Sequence, residues 1–126
     1  MKKLNNKKYV FLGDIDSINV EIVCKSFNFL KYKIKYLVIC NKRELLNDYV
    51  FKKKNIDICE IYDAINFTGY KKNKLNIFNI ENVSKHKYLN LLNQIQIANK
   101  LANNSKYDLI TMPINKVIFK KKIKFI

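Results

Sequence analysis

The sequence predicts an α/β domain in which a mostly parallel sheet is covered by helices on both faces. Three observations predict it. Short apolar runs alternate with segments whose apolar residues recur at helical spacing, the pattern of repeated βα units. The 126 residues are 48% hydrophobic and 13% aromatic, enough for one domain with a packed core. Backbone-special residues are scarce, two glycines and one proline, and Gly13 and Pro113 each directly follow an apolar run. The C-terminal ends of strands are where open α/β sheets place their ligands.

The elements follow in order. Tyr9 to Leu12 is a buried strand ending at Gly13. Ser17 or Asn19 can cap the next helix, in which Val20, Val23, Cys24, Phe27 and Leu30 share one face and Glu21 suits the positive end of the helix dipole. Ile34 to Cys40 is the second strand. Arg43 to Lys54 reads as one helix with lysines in its last turn. Ile56 to Tyr62 alternates as a third strand, and residues 63 to 73 read as an irregular connection. Lys74 to Ile80 alternates again and suits a sheet edge. Ser84 can cap the longest helix, whose apolar face is Leu89, Leu92, Ile95, Ile97, Ala98, Leu101 and Ala102. Tyr107 to Met112 is the last strand. Alternation of this kind implies right-handed crossovers between parallel strands.

Composition also excludes. No apolar run approaches the roughly 20 residues that span a bilayer. The basic N-terminus is followed by a strand-like run, not a signal sequence, so a cytoplasmic protein without a membrane partner is expected. Cys24, Cys40 and Cys59 lie in separate apolar segments, read as buried free thiols. His86 is the one histidine, too few for a self-contained metal site. The formal net charge is +15, with one arginine, Arg43, among 25 Lys and Arg. Lysines spread along the whole chain suit a solvated surface, whereas base and bidentate phosphate recognition favour arginine. That distribution argues against a nucleic-acid interface. A small lysine-rich module binding RNA or a protein partner is the alternative function.

Two segments carry chemistry. Gly13 permits a sharp turn at a strand exit, placing Asp14 beside the N–H groups of the following helix. The segment lacks the GxGxxG spacing of a dinucleotide fingerprint and the GK[ST] of a P-loop. In Thr111-Met112-Pro113-Ile114-Asn115-Lys116 the proline ends the strand. Asn115 can cap a new helix, and Lys116 can offer its ammonium to a phosphate or carboxylate. By spacing alone, a plain strand-to-helix turn with a surface lysine is the better reading.

Taken together, the two segments resemble the 4-hydroxythreonine-4-phosphate dehydrogenase family of vitamin B6 biosynthesis. Gly13, Asp14, Ile18 and Glu21 match its N-terminal Gly-Asp segment, and Thr111, Pro113, Ile114, Asn115 and Lys116 match its Thr-x-Pro-Ile-Asn-Lys segment. Ile15, Ser17, Asn19 and Val20 replace a proline, two glycines and a second proline. The resemblance implies NAD-dependent oxidation and decarboxylation of a phosphorylated hydroxy-amino acid. It also implies a divalent metal (Zn, Mg or Co) and a homodimer of two-domain α/β/α subunits, distantly like isocitrate and isopropylmalate dehydrogenases. Residues 1 to 126 would form most of the first domain, an incomplete α/β unit. By the resemblance, Asp14, Glu21, Thr111, Asn115 and Lys116 are cleft candidates. The family's substrate-contacting His and Thr, and its metal-binding histidines, come after the Lys116 segment and have no counterpart here. The chain alone is expected to be inactive, with no metal ligand and no catalytic residue of its own.

Overall fold

The computed structural model describes residues 7–112. Its centre is a pair of strands, β1 (Lys7–Phe11) and β2 (Lys35–Cys40), running parallel with Tyr9 opposite Leu37 and Phe11 opposite Ile39. β2 is apolar and buried from Tyr36 to Cys40, as a strand covered on both faces must be. β4 (Leu75–Asn79) joins β2 on its far side, β3 (Ile58–Glu60) follows outside it, and β5 (Asp108–Thr111) lies beside β1. The sheet is five-stranded, all parallel, in the order β3-β4-β2-β1-β5.

Strand periodicity sorts the core into two layers. Leu12, Tyr36, Val38, Cys40, Leu75 and Ile77 pack against α1 (Asn19–Leu30), α2 (Lys42–Asn47) and α3 (Tyr49–Lys53) through Val20, Val23, Phe27, Leu45 and Phe51. Tyr9, Phe11, Leu37 and Ile39 face the other way, onto Ile61, Ala64 and Phe67 and onto Leu91 and Ala98 of α4 (Lys87–Ser105). The expected apolar face of α1 is therefore its buried face. Cys24 and Cys40 are buried free thiols, and Cys59 is half-buried. Burial pushes the Cys40 thiol up to about 12, so it stays protonated and inert.

Four elements differ from the sequence expectation. The helix expected from Arg43 to Lys54 is two short ones, because Asp48 takes an extended conformation and accepts a hydrogen bond from Phe51 N at 3.0 Å, starting α3 anew. β4 is an inner strand, not an edge. Its alternation reflects buried Asn76, whose amide bonds to the backbone of Lys71 and Lys74, so a polar position there is not a solvent face. Neither expected serine caps a helix directly. Ser17 Oγ accepts from Asn19 N and Ser84 Oγ from His86 N, shaping the turns that precede α1 and α4, and α4 starts at Lys87. Finally, α4 buries Asn90, Leu91, Gln94 and Ala98, while Leu89 and Leu92 are only half-buried.

The connection from β3 to β4 is irregular, as expected, and one carboxylate organises it. Asp63 accepts from Ile65 N, Asn66 N, Asn66 Nδ2 and Thr68 Oγ1. This frame holds Phe67 at φ 55, a left-handed conformation unfavourable for a bulky residue, with its ring buried near Tyr9, Tyr70 and Tyr107. Hydrogen bonds from Asn66 and Thr68 hold the Asp63 carboxyl below its ordinary value of 3.8. A depressed folded-state pKa stabilises above the unfolded value, and the gain is lost as pH falls through the folded one. The thermal midpoint of the wild type should thus fall between about pH 5 and about pH 3 more steeply than that of Asp63→Asn. Superimposable acid limbs in the two proteins would show that the carboxylate contributes nothing.

Candidate functional site

The parallel strands deliver their exits to one edge. At the end of β1, Leu12 N still donates to Ile39 O, and Gly13 then turns at φ 77, a region glycine enters freely. Asp14, only 4% exposed, accepts from Asp16 N at 3.0 Å. Lys87, the first residue of α4, places Nζ 2.8 Å from Asp14 Oδ1 and 2.6 Å from Asp16 Oδ2. Burial alone would lower the Lys87 pKa, but the two carboxylates outweigh it and raise the pKa above its ordinary value. One ammonium thus ties the β1 exit to the start of α4, elements 71 residues apart in sequence at their Asp16–Lys87 contact.

The exits of β2, β3 and β4 are tied as well. Asn41 accepts from Glu44 N at 2.9 Å, capping α2, and its amide donates to Ile80 O and Asn82 Oδ1. Asn82 in turn donates to Glu44 Oε2 at 3.1 Å. Lys42 N donates to Asn79 Oδ1, and Lys42 Nζ lies 2.9 Å from Glu60 Oε1. The bond to Glu60 holds the Lys42 pKa above its ordinary value.

Between these exits lies a cavity of about 850 Å³, with Asp16 and Lys87 on one side, Arg43 and Glu44 on another, and Asn82 and Gln94 completing it. Its position is a topological switch point. β2 sends its chain into α2 on one face of the sheet, and its neighbour β4 leads into α4 on the other. Ligand crevices in open α/β sheets form at such places. Among the described residues, no grouping of three or more His, Cys, Asp or Glu is arranged to hold a metal ion.

The cleft candidates separate in space. Asp14 is buried at the β1 exit. Thr111 stands exposed at the end of β5, directly opposite Phe11 in register, and Met112 N donates to Phe11 O at 3.1 Å. The Gly13-Asp14 segment and Thr111 are therefore neighbours at one edge. Glu21 is apart from them. It is half-exposed on α1 and pairs with Lys25 at 2.9 Å, which lowers its pKa, and it does not line the cavity. Pro113, Ile114, Asn115 and Lys116 lie outside the described residues. Sequence reasoning did not single out Lys87, Asn41 or Gln94. Asn41 was accessible in principle, since Asn followed three residues later by Glu after a strand is a capping-box signature. Lys87 had no distinguishing signal among so many lysines.

The fold is shared with a solved structure. The crystal structure of a 4-hydroxythreonine-4-phosphate dehydrogenase from Burkholderia phymatum superimposes with a TM-score of 0.71 at 18% sequence identity, over 93% of this chain and 39% of that one. The likeness establishes the α/β fold, and this chain spans about two fifths of the neighbour's length. No protein-family model matches the sequence, and no curated protein matches it. No helix among the described residues is long and apolar enough to cross a membrane.

The Lys87 pair sets a measurable stability term. Removing one partner of a buried ion pair leaves the other charge uncompensated. Lys87 keeps 39% of its side chain exposed, so the expected loss for Lys87→Met is about 1–3 kcal/mol, below that of a fully buried pair. Asp14→Asn combined with Lys87→Met should lose less than the sum of the two. The raised pKa of Lys87 means its contribution is complete below 10.5 and declines as pH rises past its folded value. Strictly additive single and double variants in urea melts would refute the coupling.

Proposed function

We propose that this chain forms one wall of the cleft of a 4-hydroxythreonine-4-phosphate dehydrogenase-like enzyme. The reaction is NAD-dependent oxidation of a phosphorylated hydroxy-amino acid followed by decarboxylation, in a homodimer. One observation carries the reading. The two segments that resemble that family are far apart in sequence, yet Gly13-Asp14 and Thr111 emerge from adjacent, in-register strands at the same edge of the sheet. The likeness of the whole domain to the Burkholderia phymatum dehydrogenase supports it.

The residues divide the work as follows. Asp14, neutralised by Lys87, fixes the β1 exit and the start of α4 as one rigid floor. Thr111 offers an exposed hydroxyl that both donates and accepts to a polar group of the substrate. By the resemblance, Asn115 and Lys116 complete this wall, Lys116 pairing with the phosphate or carboxylate as a point charge. Glu21, engaged with Lys25, has no substrate contact in this assignment. When bound, NAD would supply a hydride acceptor and a divalent metal would supply a Lewis acid for the alcohol oxygen. The described residues do not fit a metal, so the metal would be held by polypeptide outside them.

The test is NADH formation from 4-phosphohydroxy-L-threonine in the presence of Mg²⁺, Zn²⁺ or Co²⁺. The protein assayed carries these residues together with the polypeptide that completes the cleft. Turnover is expected, with Lys116→Ala raising KM by about tenfold or more, the scale of one charge-assisted contact. The 126-residue chain alone should give none. Lack of turnover by the completed protein, or unchanged kinetics in both Thr111→Ala and Lys116→Ala, would overturn the proposal.

A further inference from the structure

Among the described residues, one part of the sheet is left uncovered. Val10 of β1 stands beside Ile110 of β5 in register, so both project onto the side where Val10 packs, the α1 layer. The opposite side of the same edge is closed, since Leu109 packs into the α4 layer. Ile110 is nevertheless 48% exposed, and Val10 is only half-buried. Parallel strands are normally covered on both faces.

α1 forms the other wall of this gap. α3 packs along one side of it, where Lys54 comes electrostatically close to Glu21 and Cys24. At about 3.6 residues per turn, Ile22 and Leu30 fall on the opposite flank, toward β1 and β5. Ile22 is 39% exposed, and Ile18, one turn earlier, is 62% exposed. Leu30 and Met112 are half-buried against the same layer. Ile18, Ile22, Val10 and Ile110 thus border one apolar groove between α1 and β5.

The chain continues from the mouth of this groove. Met112 packs into the α1 layer, and its N–H donates to Phe11 O at 3.1 Å. Residues 113 to 126 therefore start at the exit edge, where Ile18 precedes α1. They are apolar and basic, with Val117, Ile118, Phe119, Ile123, Phe125 and Ile126 set among Lys120, Lys121, Lys122 and Lys124. Residues 117 to 126 reach about 15 Å as a helix or about 33 Å extended, whereas a strand as short as β5 spans about 13 Å. Either form is long enough. Tethering at Met112 supplies an effective concentration on the order of mM. A second copy, carrying the same +15 charge, is instead repelled.

We infer that residues 117–126 lie along the α1–β5 groove, with apolar side chains on Ile22 and Ile110 and lysines in water. Lysine stems can run beside apolar surface while their ammonium groups stay solvated. The segment closes the α1 face over β5 as α4 closes the other face, and it keeps this apolar patch from other chains. The inference is independent of the dehydrogenase reading, since it uses neither Thr111 nor Lys116.

The experiment is methyl NMR of the 126-residue chain with isotope-labelled Ile and Val. NOEs are expected from the Ile22 and Ile110 methyl groups to residues 117–126. A sample mixing labelled and unlabelled copies separates contacts within a chain from contacts between chains. Ile110→Asp and Ile22→Asp each replace a partly exposed side chain. Both should raise hydrogen exchange of the 117–126 amides about tenfold or more, while the amides of β2 stay protected. Tyr62→Asp, at a position 79% exposed and outside the groove, should leave that exchange unchanged. The inference is overturned if no NOE joins the groove to residues 117–126, or if such NOEs arise only between copies, which would make a second chain the occupant. Unchanged exchange in both groove variants overturns it equally.

Discussion

A sheet whose five strands all run one way must be covered on both faces, and that constraint organises the rest of this protein. With β1 and β2 sealed between two apolar layers, polar side chains of the inner strands cannot lie along them without partners. They collect instead at the strand ends. All strand exits then share an edge, so Gly13-Asp14, Asn41-Lys42, Asn79 to Asn82 and Thr111 converge although the sequence scatters them. Lys87 fastens this edge by answering two carboxylates of the β1 exit from the first residue of the longest helix. Were the strands antiparallel, the same residues would be divided between opposite ends of the sheet and no common edge would exist.

What could be read in advance follows from the same constraint. Fully buried strands produce uninterrupted apolar runs, so Tyr9 to Leu12 and the run ending at Cys40 are visible without any structure. The face of α1 is equally legible, because Val20, Val23, Cys24 and Phe27 repeat at helical spacing and are all buried. Legibility fails where a polar side chain is buried for its hydrogen bonds. Asn76 mimics the solvent position of an edge strand while its amide closes the Lys71 turn inside the protein. Asn90 and Gln94 occupy buried positions of α4 that a hydrophobic pattern assigns to Leu89 and Leu92. Asp48 breaks a helix that periodicity alone would continue, since a cap acts through one hydrogen bond and leaves no periodic trace. At the site, Asp14 was legible because Gly13 precedes it, and Lys87 was not, because it owes its role to a contact across the fold.

The surface lysines, so prominent in composition, have a different meaning in the fold. Several stack over aromatic rings, Lys31 over Phe27 and Tyr32, Lys33 over Phe29, and Lys53 over Tyr49 at 4.2 Å. Such contacts cover apolar area with the lysine stem while the ammonium stays wet. Phe29 and Tyr32, each more than 60% exposed, are partly shielded in this way. A net charge of +15 is therefore compatible with a surface that packs on itself, and it does not by itself create a polyanion site. Arg43, the one arginine, is exposed and makes no ion pair among the described residues.

The altered Gly13–Glu21 segment shows how a turn can be kept when its glycines are not. Gly13 retains the positive φ, but Ser17 and Asn19 stand where the resembled segment has glycines. Here hydrogen bonds replace backbone freedom. Ser17 Oγ donates to Asp14 O at 2.6 Å and accepts from Asn19 N, while the buried Asn19 amide donates to Leu12 O at 2.9 Å. Asp14 Oδ1 takes Asp16 N. The turn thus spends its own donors and acceptors internally, leaving few backbone groups to approach a ligand. A glycine-rich turn grips through exposed N–H groups; this one presents side chains. The side chains left uncommitted at this edge belong instead to its neighbours, Thr111 of β5 on one side and the lining of the cavity on the other.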